Sequence, residues 1–211
     1  MSKAANYSKI LLVEGNNDKH VVLALCEKYQ VAMNFCIEDC GGIGNLTNQE
    51  YISARFKQSG INTIGIIIDA DTNLQTRWEK LNNALIANGF NVPKIFPKDG
   101  LIIENTDKKI GAWLMPDNNN IGMLEDFISF LIPKEDKLLP IVDKTLTEIE
   151  NQKLNKYSNR HRSKAKIHTW LAWQEDPGTP MGLSITKKYL STDEELCKKF
   201  VHWITELFKE K

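Results

Sequence analysis

Two apolar runs in this chain stop abruptly on carboxylates. Ile10-Leu11-Leu12-Val13 leads into Glu14-Gly15, and Ile64-Gly65-Ile66-Ile67-Ile68 leads into Asp69-Ala70-Asp71. A short apolar run that ends on an acid reads as a buried parallel strand presenting that acid at its C-terminal end, where open α/β sheets place their ligands. Glu14, Asp69 and Asp71 are therefore expected to face one crevice. Like charges that close raise one another's pKa, and a hard divalent cation with oxygen ligands, Mg²⁺ or Mn²⁺, relieves the repulsion. Asp69 and Asp71, two residues apart, both point forward only where the strand has ended and its alternation is broken. Asp18, one helical turn beyond Glu14, is in reach of the same ion, although an acid in a first helical turn is favourable without any metal.

A second chemical feature is basic. From Lys153 to His168 the chain carries Lys153, Lys156, Arg160, Arg162, Lys164 and Lys166, with His161 and His168 and no acid. The whole chain balances 27 Lys and Arg against 27 Asp and Glu, so no global charge advertises a nucleic-acid partner and any such partner must be met by a local patch. This tract suits backbone phosphates, and a solvated surface explains it equally well. Trp170 and Trp173 lie close by, with core packing a better explanation than stacking on a base.

The elements that must position these residues follow a β-α-β-α-β-α rhythm, which implies a parallel sheet with right-handed crossovers. After the first strand, Lys19 to Tyr29 has Val21, Val22, Leu25 and Cys26 at helical spacing, with Asn17 or Asp18 as its cap. Asn34 to Cys40 reads as a second strand. It ends in Gly41-Gly42-Ile43-Gly44-Asn45, a sequence suited either to a phosphate cradle or to a turn needing positive φ. Helices are expected from Leu46 to Gln58 and from Leu74 to Asn88, the latter with Trp78, Leu81, Leu85 and Ile86 inward. Gly100 to Glu104 and Lys109 to Met115 flank Asn105-Thr106-Asp107-Lys108 as a hairpin added to the sheet. Helices then follow over Met123 to Leu131, Lys137 to Lys153, Ile167 to Trp173 and Glu194 to Phe208. The last buries Leu196, Phe200, Trp203, Ile204 and Leu207.

The expected organisation is one α/β domain over 1–211, with a core of about 7–116 and a helical extension of about 120–211. No Pro/Gly/Ser-rich linker divides the two parts. Cys26, Cys36, Cys40 and Cys197 form no C-x-x-C pair and no zinc site, so they read as reduced and mostly buried. The apolar run after Met1-Ser2-Lys3-Ala4-Ala5-Asn6 has only strand length, too short for a signal peptide. No run approaches the ~20 residues of a membrane span. Both point to a cytoplasmic protein without a membrane partner.

Val13-Glu14-Gly15-x-x-Asp18 after a strand, followed about fifty residues later by strand-Asp69-x-Asp71, resembles the two defining motifs of the Toprim domain. That catalytic domain is shared by topoisomerases, primases, recombination proteins and the OLD family of nucleases, and the match covers roughly the first half of the chain. Leu124-Glu125-Asp126 is similar to the extra acidic motif of the OLD-type branch, and Ser163-Lys164-Ala165 to its Ser/Lys motif. Overall the chain also resembles small stand-alone Toprim-like proteins of an uncharacterised family that carry Met115-Pro116-Asp117-Asn118 and Leu171-Ala172-Trp173-Gln174-Glu175-Asp176-Pro177.

The resemblance implies a Toprim-like α/β fold and metal-dependent phosphodiester hydrolysis of DNA or RNA. Glu14, Asp69 and Asp71 would be catalytic and would hold metal with Asp18, and Lys164 would stand nearest the chemistry. Glu125, helped by Asp126, would hold a second ion; Glu14 as general acid or base is the alternative the resemblance to topoisomerases and primases suggests. Lys156, Arg160, Arg162, Lys164 and Lys166 would bind the nucleic acid. A topoisomerase needs a tyrosine-bearing domain and a primase needs template-binding regions for which there is no room. The chain has no G-x-x-x-x-G-K-[ST], so any nucleotide-driven control belongs to a separate ATPase subunit. The alternative function is a non-catalytic metal- or nucleic-acid-binding subunit of a partner-activated complex.

Overall fold

The computed structural model describes residues 7–210; the first six residues, part of the leader reading above, lie outside them. Five strands form one sheet in the order β2-β1-β3-β5-β4: β1 (Lys9–Val13), β2 (Cys36–Asp39), β3 (Thr63–Asp69), β4 (Leu101–Glu104) and β5 (Lys109–Met115). β1 pairs parallel with both β2 and β3, β3 pairs parallel with β5, and β4 closes the edge antiparallel to β5. The expected parallel sheet with an added hairpin is what the chain adopts. Because β1 is flanked by β2 on one side and β3 on the other, successive crossovers leave it in opposite directions. A crevice opens between the C-terminal ends of β1 and β3. Glu14 follows β1 and Asp69 ends β3, so strand order alone brings these two carboxylates to that crevice.

Period-2 alternation sends strand residues to two cores. Leu11, Val13, Ile67, Trp113 and Met115 face the layer made by α1 (Asn16–Lys28) and the C-terminal helices. Ile10, Leu12, Ile64, Ile66, Ile68, Ile110 and Leu114 face α3 (Gln49–Lys57) and α4 (Leu74–Ala87), with the one-turn α2 (Ile43–Leu46) between β2 and α3. In α4, Trp78, Leu81 and Leu85 are buried as expected, but Ile86 is 57% exposed because it falls one position past the inward stripe.

The C-terminal part comprises α5 (Leu124–Phe130), α6 (Leu138–Asn151), a 3-10 turn over Asn159–His161, α7 (Arg162–Ala172), α8 (Met181–Thr186) and α9 (Glu195–Phe208). α9 lays Phe200, Trp203, Ile204 and Leu207 on the sheet, with Leu196 half-buried. Its close approach requires the absence of side chains on the strands. Gly65 and Gly111 are register partners on β3 and β5, and a Cβ on either would lie 2.6 to 2.9 Å from the Leu207 side chain. The four cysteines are free: Cys26, Cys40 and Cys197 are buried and Cys36 is half-buried. Among the described residues no helix is long and apolar enough to cross a membrane.

Candidate functional site

A pocket of about 400 Å³ opens over the C-terminal ends of β1 and β3, lined by Glu14, Asp18, Asp39, Asp69, Glu125 and Lys164 together with Gly15, Asn16 and Asn17 at the start of α1 and Gly41–Gly42. Each acid arrives by a different local device. Glu14 is the first residue after β1. Asp18 sits at the third position of α1, where its Oδ2 accepts a hydrogen bond from the N–H of the N-cap residue Gly15 at 3.1 Å. Asp69 ends β3, and its Oδ1 accepts from the Leu124 N–H at 3.0 Å, joining the strand to the start of α5. Glu125, only 2% exposed, enters from the first turn of α5.

The electrostatics of this pocket are adverse without a counter-charge. Burial, reinforced by Glu14, pushes the Asp18 carboxyl up to about 7. Burial together with Glu14, Asp18 and Glu125 pushes Asp69 well above the ordinary carboxylate range. The Oε2 of Glu14 is buried with no hydrogen-bond partner. An anionic oxygen left without a donor in a site of this kind is costly, and a cation or a bound ligand donor is the usual remedy. Lys164 Nζ reaches Glu125 Oε1 at 3.4 Å, one ammonium among several carboxylates. Among the described residues, no three His, Cys, Asp or Glu side chains are arranged as a ready-made metal cage.

Two acids of the expected set are placed elsewhere. Asp71 does not line the pocket: it has φ of 55° and its backbone pairs with Gly122 in both directions, N to O at 2.7 and O to N at 2.8 Å. That kink turns its carboxylate onto Arg77 and Arg160. Asp126 serves architecture, its Oδ2 accepting from the Met123 N–H at 2.9 Å and its Oδ1 from the Ser163 hydroxyl at 2.5 Å. Adjacent acids on α5 thus meet adjacent residues on α7, with Glu125 on Lys164 and Asp126 on Ser163.

The basic tract does not form one surface. Arg162 and Lys166, one turn apart on α7, bind acids of α6: Arg162 reaches Asp143 at 3.4 Å and Glu150 at 2.9 Å, and Lys166 reaches Asp143 at 2.8 Å. Lys164 lies about 200° around the helix from Arg162 and faces the pocket instead. Arg160 holds Asp71, and Lys156 is exposed. Trp170 is buried, whereas Trp173 is 43% exposed.

A family model matches residues 8–209. The chain belongs to that family, described as "Protein of unknown function (DUF3226)". No curated protein matches this DUF3226 chain. It is similar to solved structures of the C-terminal region of the Xanthomonas campestris pv. campestris OLD protein. The mercury-phased structure is 13% identical, covers 94% of this chain and 95% of that one, and has a TM-score of 0.44. The iodine-phased structure is 14% identical, covers 94% of each, and has the same TM-score.

Sequence reasoning missed two features of the DUF3226 site. Arg77, in the first turns of α4, pairs with Asp71; an arginine eight residues after an Asp-x-Asp start carries no signal until the turn between them is known. Asp39, the last residue of β2, lines the pocket and was legible as a third apolar run ending on an acid. The glycine-rich turn after β2 is a turn and not a free cradle. Gly41 has φ of 69° and Gly42 of 113°. Their amides donate to Asp39 Oδ1 and to the Glu14 carbonyl, each at 2.8 Å.

Proposed function

We propose that this protein is a metal-dependent phosphodiesterase acting on DNA or RNA, with Mg²⁺ or Mn²⁺ held at the pocket between β1 and β3. The observation that supports it best is the buried, unpartnered Oε2 of Glu14 among Asp18, Asp69 and Glu125, with Lys164 at the same pocket. The donor set is all oxygen, which suits hard cations. Mg²⁺ is commonly held by one or two carboxylates, its own waters and substrate phosphate. Glu14 and Asp69, on neighbouring strands, are the proposed holders, with Asp18 and Glu125 oriented toward the same space. When bound, the metal would polarise a phosphoryl oxygen and lower the pKa of an attacking water.

The remaining roles belong to the chain's own groups. Burial and the neighbouring acids hold the Asp18 and Asp69 carboxyls above their ordinary range, and positive charge entering the pocket would favour their ionised forms. Lys164 donates hydrogen bonds to a phosphate oxygen once Glu125 has another partner. The Toprim-like motifs at Glu14 and Asp69 and the OLD-like motifs at Glu125 and Lys164 support the same reading, because all four fall on the one pocket.

The test is cleavage of supercoiled plasmid, single-stranded DNA and structured RNA with Mg²⁺ or Mn²⁺, comparing the native protein with Asp69→Ala. Cutting by the native protein that disappears in the variant is the expected result, and the substrate cut identifies the nucleic-acid class. Cutting that persists in Asp69→Ala would place the active site elsewhere. Nucleic-acid binding without cutting by either protein would favour a partner-activated binding subunit.

A further inference from the structure

Asp71 stands two residues from Asp69 yet has no share in the pocket, and its surroundings are those of an arginine anchor. Its carboxylate is only 8% exposed, and both oxygens are engaged: Oδ1 accepts from Arg160 Nε at 3.1 Å and Nη2 at 2.7 Å, and Oδ2 accepts from Arg77. The backbone of Asp71 has φ of 55° with amide and carbonyl both paired to Gly122, and its carboxylate is held on the two guanidiniums. A divalent cation at Asp71 would stand against two guanidinium charges that do not titrate away.

We infer that Asp71 is not a metal ligand but a positioning residue for a two-arginine phosphate site, in which Arg77 and Arg160 supply beside the carboxylate pocket the positive charge a second metal ion would otherwise provide. This rests on the phosphodiesterase reading above. One carboxylate between two guanidiniums leaves a net positive charge. Planar guanidinium forks match phosphate oxygens in pairs, so the ion pair with Asp71 holds the two planes in place while cancelling only one of their two charges. Arg77 is 15% exposed and lies behind Asp71, two residues along the chain from the pocket's Asp69; burial lowers its pKa, and Glu14 and Asp69 oppose that shift. Arg160 is 52% exposed, on the 3-10 turn that leads into α7, so its outer edge is open to a nucleic-acid backbone. The site then takes one divalent cation per chain.

The experiment separates metal binding from phosphate binding in the full-length protein. Mn²⁺ is titrated by calorimetry and electron paramagnetic resonance into the native protein, Asp71→Asn, Arg160→Ala and Asp69→Asn. Labelled DNA and RNA oligonucleotides of one sequence are titrated in Ca²⁺, each variant being checked for native circular dichroism. The expected result is one Mn²⁺ per native chain, retained within about threefold in Asp71→Asn and Arg160→Ala and lost in Asp69→Asn. Oligonucleotide affinity falls about tenfold in Asp71→Asn and in Arg160→Ala, the loss of a charged hydrogen-bonded contact. Two spin-coupled Mn²⁺ ions in the native protein, or loss of Mn²⁺ binding in Asp71→Asn, would overturn the inference while leaving a metal site in place. No Mn²⁺ binding by the native protein would overturn the phosphodiesterase reading and the inference with it.

Discussion

Asp18 carries the most readable chemistry of any single residue in the pocket, because its burial has a consequence that needs no substrate. Its carboxyl titrates near 7 in the folded protein and near 3.8 when unfolded. Between those values the folded state binds more protons than the unfolded one, so stability falls as pH rises through this window, and the penalty is complete above about 7. Asp69 acts in the same direction. For Asp18 alone the shift corresponds to on the order of 4 kcal/mol. The metal-free protein should therefore melt several degrees higher near pH ~5.5 than near pH ~8, at about 2–4 °C for each kcal/mol. Asp18→Asn should flatten that slope, and Mn²⁺ should raise Tm most at the alkaline end. A melting temperature that instead rises with pH would mean these acids are not buried together. Lys164 gives a kinetic counterpart: Lys164→Ala should lower kcat by ~10²-fold with KM little changed if the ammonium touches the reacting phosphate. A raised KM at unchanged kcat would reduce it to a backbone contact.

At the scale of elements, α9 and the sheet it covers make the sharpest case. Gly65 and Gly111 lie side by side across β3 and β5 with ordinary backbone angles, so their role is space. A Cβ at Gly111 would come within 2.6 and 2.8 Å of the two methyls of Leu207 and 3.1 Å of the Trp203 ring. Gly111→Ala should cost about 1–3 kcal/mol by overpacking, visible as a lower Tm, and Leu207→Ala in the same chain should recover part of it. Gly44→Ala, with nothing within 4 Å of its Cβ, is the control expected to change little. The same scale shows what was legible in the sequence. β1, β3 and β5 could be read because apolar runs of strand length end at acids or turns, and Glu14 and Asp69 followed from them. The fate of Asp71 could not, since its direction is set by a bridge to Gly122, fifty-one positions away in the chain and invisible to local spacing. Nor could the split of Glu125 from Asp126, because which of two adjacent acids caps α5 is decided by the Met123 amide and Ser163. α8 went unread at six residues, too short for a helical period to declare itself.

For the whole molecule the question is how a chain of zero formal net charge would hold a polyanion at all. The basic tract looked sufficient while it was a string of letters, but folding divides it. Arg162 and Lys166 clamp α7 to Asp143 and Glu150 of α6, which steadies the helix that carries Lys164 and takes both cations away from any ligand. What stays available is Lys164 at the pocket and Arg160 with Arg77 behind it, with Lys156 exposed elsewhere in the tract. Contact with about three phosphates follows, and counterion release then gives a slope of log K against log salt of about −3 on duplex DNA and about −2 on a single strand. Affinity would therefore be modest, with most discrimination arising in the pocket and not along the backbone. Binding isotherms of labelled oligonucleotides over a series of KCl concentrations, in Ca²⁺, measure the slope directly. A slope steeper than about −6 would require a basic surface that this fold does not assemble from the tract, and would point to a second copy of the chain or a partner subunit sharing the nucleic acid. Asp143→Ala tests the same point from inside the molecule: freeing Lys166, with Arg162 still held by Glu150, should steepen the slope by up to about 1 while loosening α7 and lowering Tm.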